Sequence, residues 1–112
     1  MTGLVLFPTR VEAREQVRVA YAAFEAAVVE HGPADDWDRL VIRQAIDAYA
    51  ATGEPFSSND LRPLLPEVRK ALISRGFITA QRAGVVRKVG FTPSTLESTH
   101  GAHVAVYQGS AR

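Results

Sequence analysis

The 112-residue sequence contains no cysteine. That excludes a disulfide scaffold, a cysteine-ligated zinc finger and a thiol nucleophile. It has no apolar run long enough to span a bilayer, so no membrane partner is expected. The first residues lack the basic start and apolar stretch of a secretion signal, which points to a cytoplasmic protein. No glycine-rich phosphate loop and no nucleophile elbow occur. Ser98 and His100 have no orienting acid beside them, so they do not make a nucleophile and base. His100 and His103 are three apart with only Glu97 close by, short of the four ligands of a closed zinc site. Asp35, Asp36 and Asp38 read as a helix start. No enzyme activity, metal or cofactor is expected.

What is present is a core. With 46% apolar and 22% charged residues, the chain has the composition of one soluble domain over 1–112. Net charge is only +1, but it is unevenly distributed. Residues 1–56 hold five Lys/Arg and nine Asp/Glu, whereas residues 57–112 hold eight and three. An acidic half joined to a basic half suggests that the second half meets a polyanion.

Gly3–Phe7 is a short apolar run, a small edge strand or an arm. Thr9 starts a helix over 8–31, with Ala13, Val17, Ala20, Tyr21, Phe24, Ala27 and Val28 on one face. Val19, Ala22, Ala26 and Val29 form a second apolar strip on the other side. A helix apolar on two sides lies deep in a fold or touches a partner, and in so small a chain the strip suggests a homodimer interface. His31-Gly32-Pro33 ends this helix. Asp35 or Asp36 caps a second helix that runs to about Ala51 and buries Trp37, Val41, Ala45, Ala48 and Tyr49.

Four N-cap residues then follow Phe56. Pro63 favours Asn59 or Asp60 as the cap, because proline fits the first turn of a helix. A helix of one or two turns ends near Leu64, and Pro66 opens another that runs to Ala83. Two helices joined so tightly are a helix-turn-helix. In the second, Leu72, Ile73, Gly76, Phe77, Ala80 and Ala83 point inward. Gly76 costs about 1 kcal/mol against alanine in mid-helix, so close packing is expected there. Glu67, Lys70, Ser74 and Gln81 point outward with Arg75 and Arg82 beside them; Ile78 also falls outside, without an evident reason. Val85 to Phe91 reads as a strand and Val104 to Tyr107 as its partner. The hydroxyl-rich segment from Thr92 to His103 joins them, and loops of that length are often functional.

Helix, helix, short helix, turn, helix and long-looped hairpin is the order of a winged helix-turn-helix spanning 35–107. The expected architecture is mainly α with a small β hairpin (α+β): three or four helices and a two-stranded wing. Residues 56–107 resemble small winged-helix proteins of phage and prophage genomes. The likeness rests on a final helix ending in Ala83-Gly84, a strand ending in Val89-Gly90-Phe91, and a Thr92-Pro93-Ser94…His100-Gly101 loop before a last apolar strand. The resemblance implies duplex DNA binding, with the second helix of the pair in the major groove and the wing on the backbone or minor groove.

The residue chemistry agrees with that expectation. A groove-reading helix needs cations and short polar groups near its start, and Arg69, Lys70, Ser74 and Arg75 supply them. Arg82 is further along, suited to the backbone. Arg87 and Lys88 are consecutive on a strand and point to opposite faces, so only one can share the helix's side. Thr92, Ser94, Thr95, Ser98 and Thr99 are phosphate donors, and His100 joins them when protonated. The aromatics are spaced as core residues, which disfavours a single-strand stacking platform. The expected role is a transcriptional regulator or a phage-type replication or recombination accessory factor. The alternative is a non-catalytic winged-helix interaction module that binds a host protein through the N-terminal helix. Under it the basic helix is a solvated surface, Arg87 and Lys88 protect an edge strand, and the hydroxyl-rich loop is plain surface.

Overall fold

The computed structural model describes residues 7–31, 37–66, 68–95 and 102–110. Helix α1 spans Arg10–His31. Thr9 caps it as expected: its hydroxyl accepts from Glu12 N at 3.1 Å, and Glu12 Oε1 accepts from Thr9 N at 2.8 Å. Helix α2 spans Trp37–Ala50. Asp35 and Asp36, its expected caps, lie outside the described residues, as do Gly32 and Pro33. Ala13, Val17 and Tyr21 of α1 are buried, and Trp37 Nε1 donates to Phe24 O at 3.3 Å. Ala27 is exposed, a correction to the expected inner face of α1. In α2 the burial is broader than expected, because Ile42 and Ile46 join Val41, Ala45, Ala48 and Tyr49 in the core.

The stretch after Gly53 departs from expectation. Phe56–Ser57 is a short strand, β1, before helix α3 at Ser58–Leu61 and a 3-10 turn at Arg62–Leu64. The cap is Ser57, not Asn59 or Asp60. Ser57 Oγ accepts from Asn59 N at 3.2 Å, and Asp60 Oδ2 accepts from Ser57 N at 2.9 Å. The earlier cap wins because Asp60 then closes a reciprocal box from inside the helix. The expected end near Leu64 holds, with Pro63 in the first turn of the 3-10 segment.

Helix α4 spans Lys70–Arg82, so it starts four residues later than Pro66 would have it. Val68 is 6% exposed and its N–H turns back to Leu65 O at 3.1 Å. That tertiary burial holds the chain out of helix until Arg69, whose φ of −67° and ψ of 138° are extended. Ile73 and Phe77 are buried as expected, but Ala83 is exposed at the helix exit. Gly84 follows with φ +79°, the left-handed conformation that glycine enters freely. Gly76 faces α2, and a Cβ there would overlap Ile42 Cγ2.

Strands β2 (Val86–Pro93) and β3 (His103–Gly109) pair antiparallel, and β1 adds to the other side of β3. The sheet therefore has three strands in the order β1-β3-β2, not the two of a simple hairpin. The added strand arises because Phe56 is drawn into the core, where its ring centroid is 5.5 Å from Tyr49 and 5.6 Å from Phe77. Phe77 in turn stacks on Tyr107 at 4.6 Å. This run of rings joins α2, β1, α4 and β3. The fold is mixed α+β, with four helices and a small three-stranded antiparallel sheet. Among the described residues, no helix is long and apolar enough to cross a membrane.

Candidate nucleic-acid interface

Helix α4 exposes a row that runs along its axis. Spacings of three and four residues place Ala71, Arg75, Ile78 and Arg82 opposite the buried Ile73 and Phe77. Ser74 borders that row, while Lys70 lies nearer the core edge, and both are exposed. Ile78, left without a reason by the sequence, is 46% exposed between the two arginines. Arg69 is the residue before the helix, not part of its first turn; its side chain is exposed. Among the described residues, no carboxylate pairs with Lys70, Arg75, Arg82 or Lys88.

The sheet decides between Arg87 and Lys88. Lys88 is directly opposite Tyr107, whose ring stacks on Phe77, so Lys88 shares the face that packs on α4. Its Nζ is 5.5 Å from the centroid of Phe91, itself 68% exposed. Arg87 is opposite Gln108 on the other face and donates to its Oε1 at 3.2 Å. Gln108 Nε2 in turn donates to Gly53 O at 2.6 Å, tying that face to the α2–β1 turn. A register shift between Lys88 and Gly90 leaves Val89 as a bulge residue, which bends the strand before Phe91.

The end of β2 is tied to α3 through Asn59, which the sequence offered only as a helix cap. Asn59 Oδ1 accepts from the Thr95 amide and from Thr95 Oγ1, each at 3.1 Å. Asn59 Nδ2 donates to Pro93 O at 3.0 Å. Arg62 donates from Nη1 to Ser58 Oγ at 2.8 Å, and from Nη2 to Thr95 Oγ1 at 3.2 Å and to Asn59 Oδ1. Burial lowers the Arg62 pKa from its ordinary value. Thr95 is thus held by α3, while Thr92 is half-buried in β2. The Ser94 amide donates to Ala102 O at 3.0 Å, so the strands close further than expected and shorten the loop. Ser98, Thr99 and His100 lie outside the described residues.

Behind this surface, Arg10 of α1 braces the start of α3. It donates to Asp60 Oδ1 and to Pro55 O, both at 2.6 Å, and its guanidinium carbon is 5.7 Å from the Tyr49 ring centroid. The Arg10–Asp60 pair joins residues 50 apart, which no local pattern announces. On the far side of α1, Val19 is 61% and Val29 is 88% exposed, and Ala22 and Ala26 are exposed between them. The chain matches no protein-family model, no curated protein and no solved structure.

Proposed function

We propose that this protein binds duplex DNA without enzymatic activity, as a winged helix-turn-helix in which α3 and α4 form the helix pair and β2–β3 the wing. One observation carries the reading. Between Glu67 and Glu97 the chain holds six Lys/Arg and no Asp or Glu, and all six side chains are exposed. So one-signed a segment attracts phosphates and releases their counterions on binding. Arg75 and Ser74 suit base edges or phosphates in the major groove, and exposed Ile78 between two arginines suits a thymine methyl. Lys88 and Phe91 add an exposed cation and ring on the sheet face that packs on α4. Arg87, on the opposite face, belongs to the sheet rather than to the contact surface. The role that follows is a transcriptional regulator or an accessory factor of phage-type replication or recombination.

Titrating labelled duplexes across a salt series tests this. Affinity should fall steeply with salt, and Lys70→Ala or Arg75→Ala should each reduce the log–log slope by about one. Unchanged affinity in both variants refutes the assignment of α4 as the reading helix. Selection from random duplexes then gives the preferred site.

The outer strip of α1 supports a homodimer as a second reading. An antiparallel pairing of two copies near Ala22 sets Arg18 of one against Glu25 of the other on the same flank of the strip. A palindromic selected site with two half-sites would agree with it. A monomeric mass in sedimentation at micromolar concentration refutes it. A host protein on the same strip is the remaining alternative. It is tested by pull-down after nuclease treatment, where a retained partner supports it and loss of all partners refutes it.

A further inference from the structure

Arg62 is a cation whose described partners are all uncharged. Of the five N–H donors that a guanidinium carries, three are engaged among the described residues, by Ser58 Oγ, Asn59 Oδ1 and Thr95 Oγ1. Asp60, two residues before it in sequence, is occupied by Arg10 and by the Ser57 amide. Among the described residues this guanidinium, partly removed from water, is held by neutral acceptors alone, and such a cation suits an oxyanion. Its location matters as much. It sits at the junction of α3 with the end of β2, where the helix pair and the wing meet.

We propose that Arg62, with the Thr95 hydroxyl beside it, is a binding site for a phosphate oxyanion, built where α3 and the wing converge. Asn59 acts as the positioning residue. By accepting from the Thr95 amide and hydroxyl and donating to Pro93 O, it holds the wing hydroxyl against the guanidinium before any ligand arrives. On binding, the Thr95 O–H turns from Asn59 to a phosphate oxygen and Arg62 supplies the charge. The pairing of a rigid planar cation with one hydroxyl fits phosphate geometry. The site takes this group either as a duplex backbone phosphate, in which case it rests on the DNA-binding reading, or as free phosphate.

Two measurements on the full chain separate these sources. The first compares duplex salt slopes for the wild type, Arg62→Gln, Arg62→Lys and Asn59→Ala. A backbone contact predicts a slope lower by about one in Arg62→Gln and a retained slope in Arg62→Lys. Asn59→Ala should weaken affinity while leaving the slope in place. If Arg62→Gln weakens binding with an unchanged slope, Arg62 is only a strut for the wing and the proposal is overturned as a backbone contact. The second follows the Thr95 amide and Arg62 Nε resonances during titration with inorganic phosphate. Saturable shifts in the wild type that vanish in Arg62→Gln support the site even if no duplex binds, which would refute the DNA reading alone. Duplex binding with no slope change and no phosphate response refutes the site and leaves the DNA reading standing.

Discussion

Replacing Gly76 by alanine probes the contact between α2 and α4, and its effect should reverse sign with its neighbour. On intrinsic propensity alone, the change stabilises a mid-helix position by about 1 kcal/mol. The added methyl would overlap Ile42 Cγ2, and Ile46 Cδ1 lies 3.4 Å from the same point. Ile42 is 3% exposed and Ile46 is 1% exposed, so neither has open space to enter. Overpacking of this kind costs about 1–3 kcal/mol. The net expectation is a loss of roughly 1 kcal/mol. Ile42→Ala alone should cost about 2–5 kcal/mol through the cavity it leaves. In that background the alanine methyl gains room, and Gly76→Ala should stabilise by about 1 kcal/mol through propensity and partial refilling of the cavity. The double-mutant cycle should therefore show a coupling of about 2 kcal/mol. Urea unfolding followed by the single tryptophan, Trp37, reads it, since that indole is bonded to Phe24 O of α1 and packs 6.0 Å from Tyr21. If Gly76→Ala stabilises the wild-type chain, or has the same effect in both backgrounds, the close-packing argument is wrong.

Further expectations concern the cap, the end of β2 and the tyrosines. Ser57→Ala removes the side-chain acceptor at the start of α3 and should cost about 1 kcal/mol in equilibrium unfolding, whereas Asn59→Ala leaves that cap intact. Asn59→Ala should instead speed hydrogen exchange at the Thr95 amide; protection equal to the wild type would show that the end of β2 is held by other means. Burial first, and then the Asp60 charge, raises the Tyr49 pKa above its ordinary 10.0, and burial raises that of Tyr107. Below that ordinary value both states keep the phenols neutral. As pH rises past it the unfolded chain ionises first, so stability should fall above about pH 10. Tyr107→Phe should make that fall shallower in urea midpoints measured across the same range.

Much of the local structure was legible because short-range chemistry determines it. Thr9 announces the start of α1. Gly84 ends α4 where its positive φ is needed, and the β-branched run after it forms β2. The excess of cations over acids in the second half was likewise readable from residue order. Other features were hidden in sequence because distant groups decide them. Phe56 reads locally as the lead-in to a cap, yet the Tyr49 and Phe77 rings make it a strand residue. Pro66 signals a helix start that the burial of Val68 postpones to Lys70. Asn59 carries no local sign that it will hold Thr95 across 36 positions of chain.

The residues proposed to face DNA divide in the same way. The sequence by itself determined that Lys70, Ser74, Arg75 and Arg82 are exposed on one helix, since a period of 3.6 sets which side chains oppose the core stripe. It also determined that Arg87 and Lys88 must diverge, since strands alternate. Only the tertiary structure decided which of the two shares a side with α4. That choice depends on the register that sets Lys88 against Tyr107, and on the stacking of Tyr107 over Phe77. Periodicity relates a residue to its own element; register and packing relate one element to another, and those contacts are made by residues far apart in the chain.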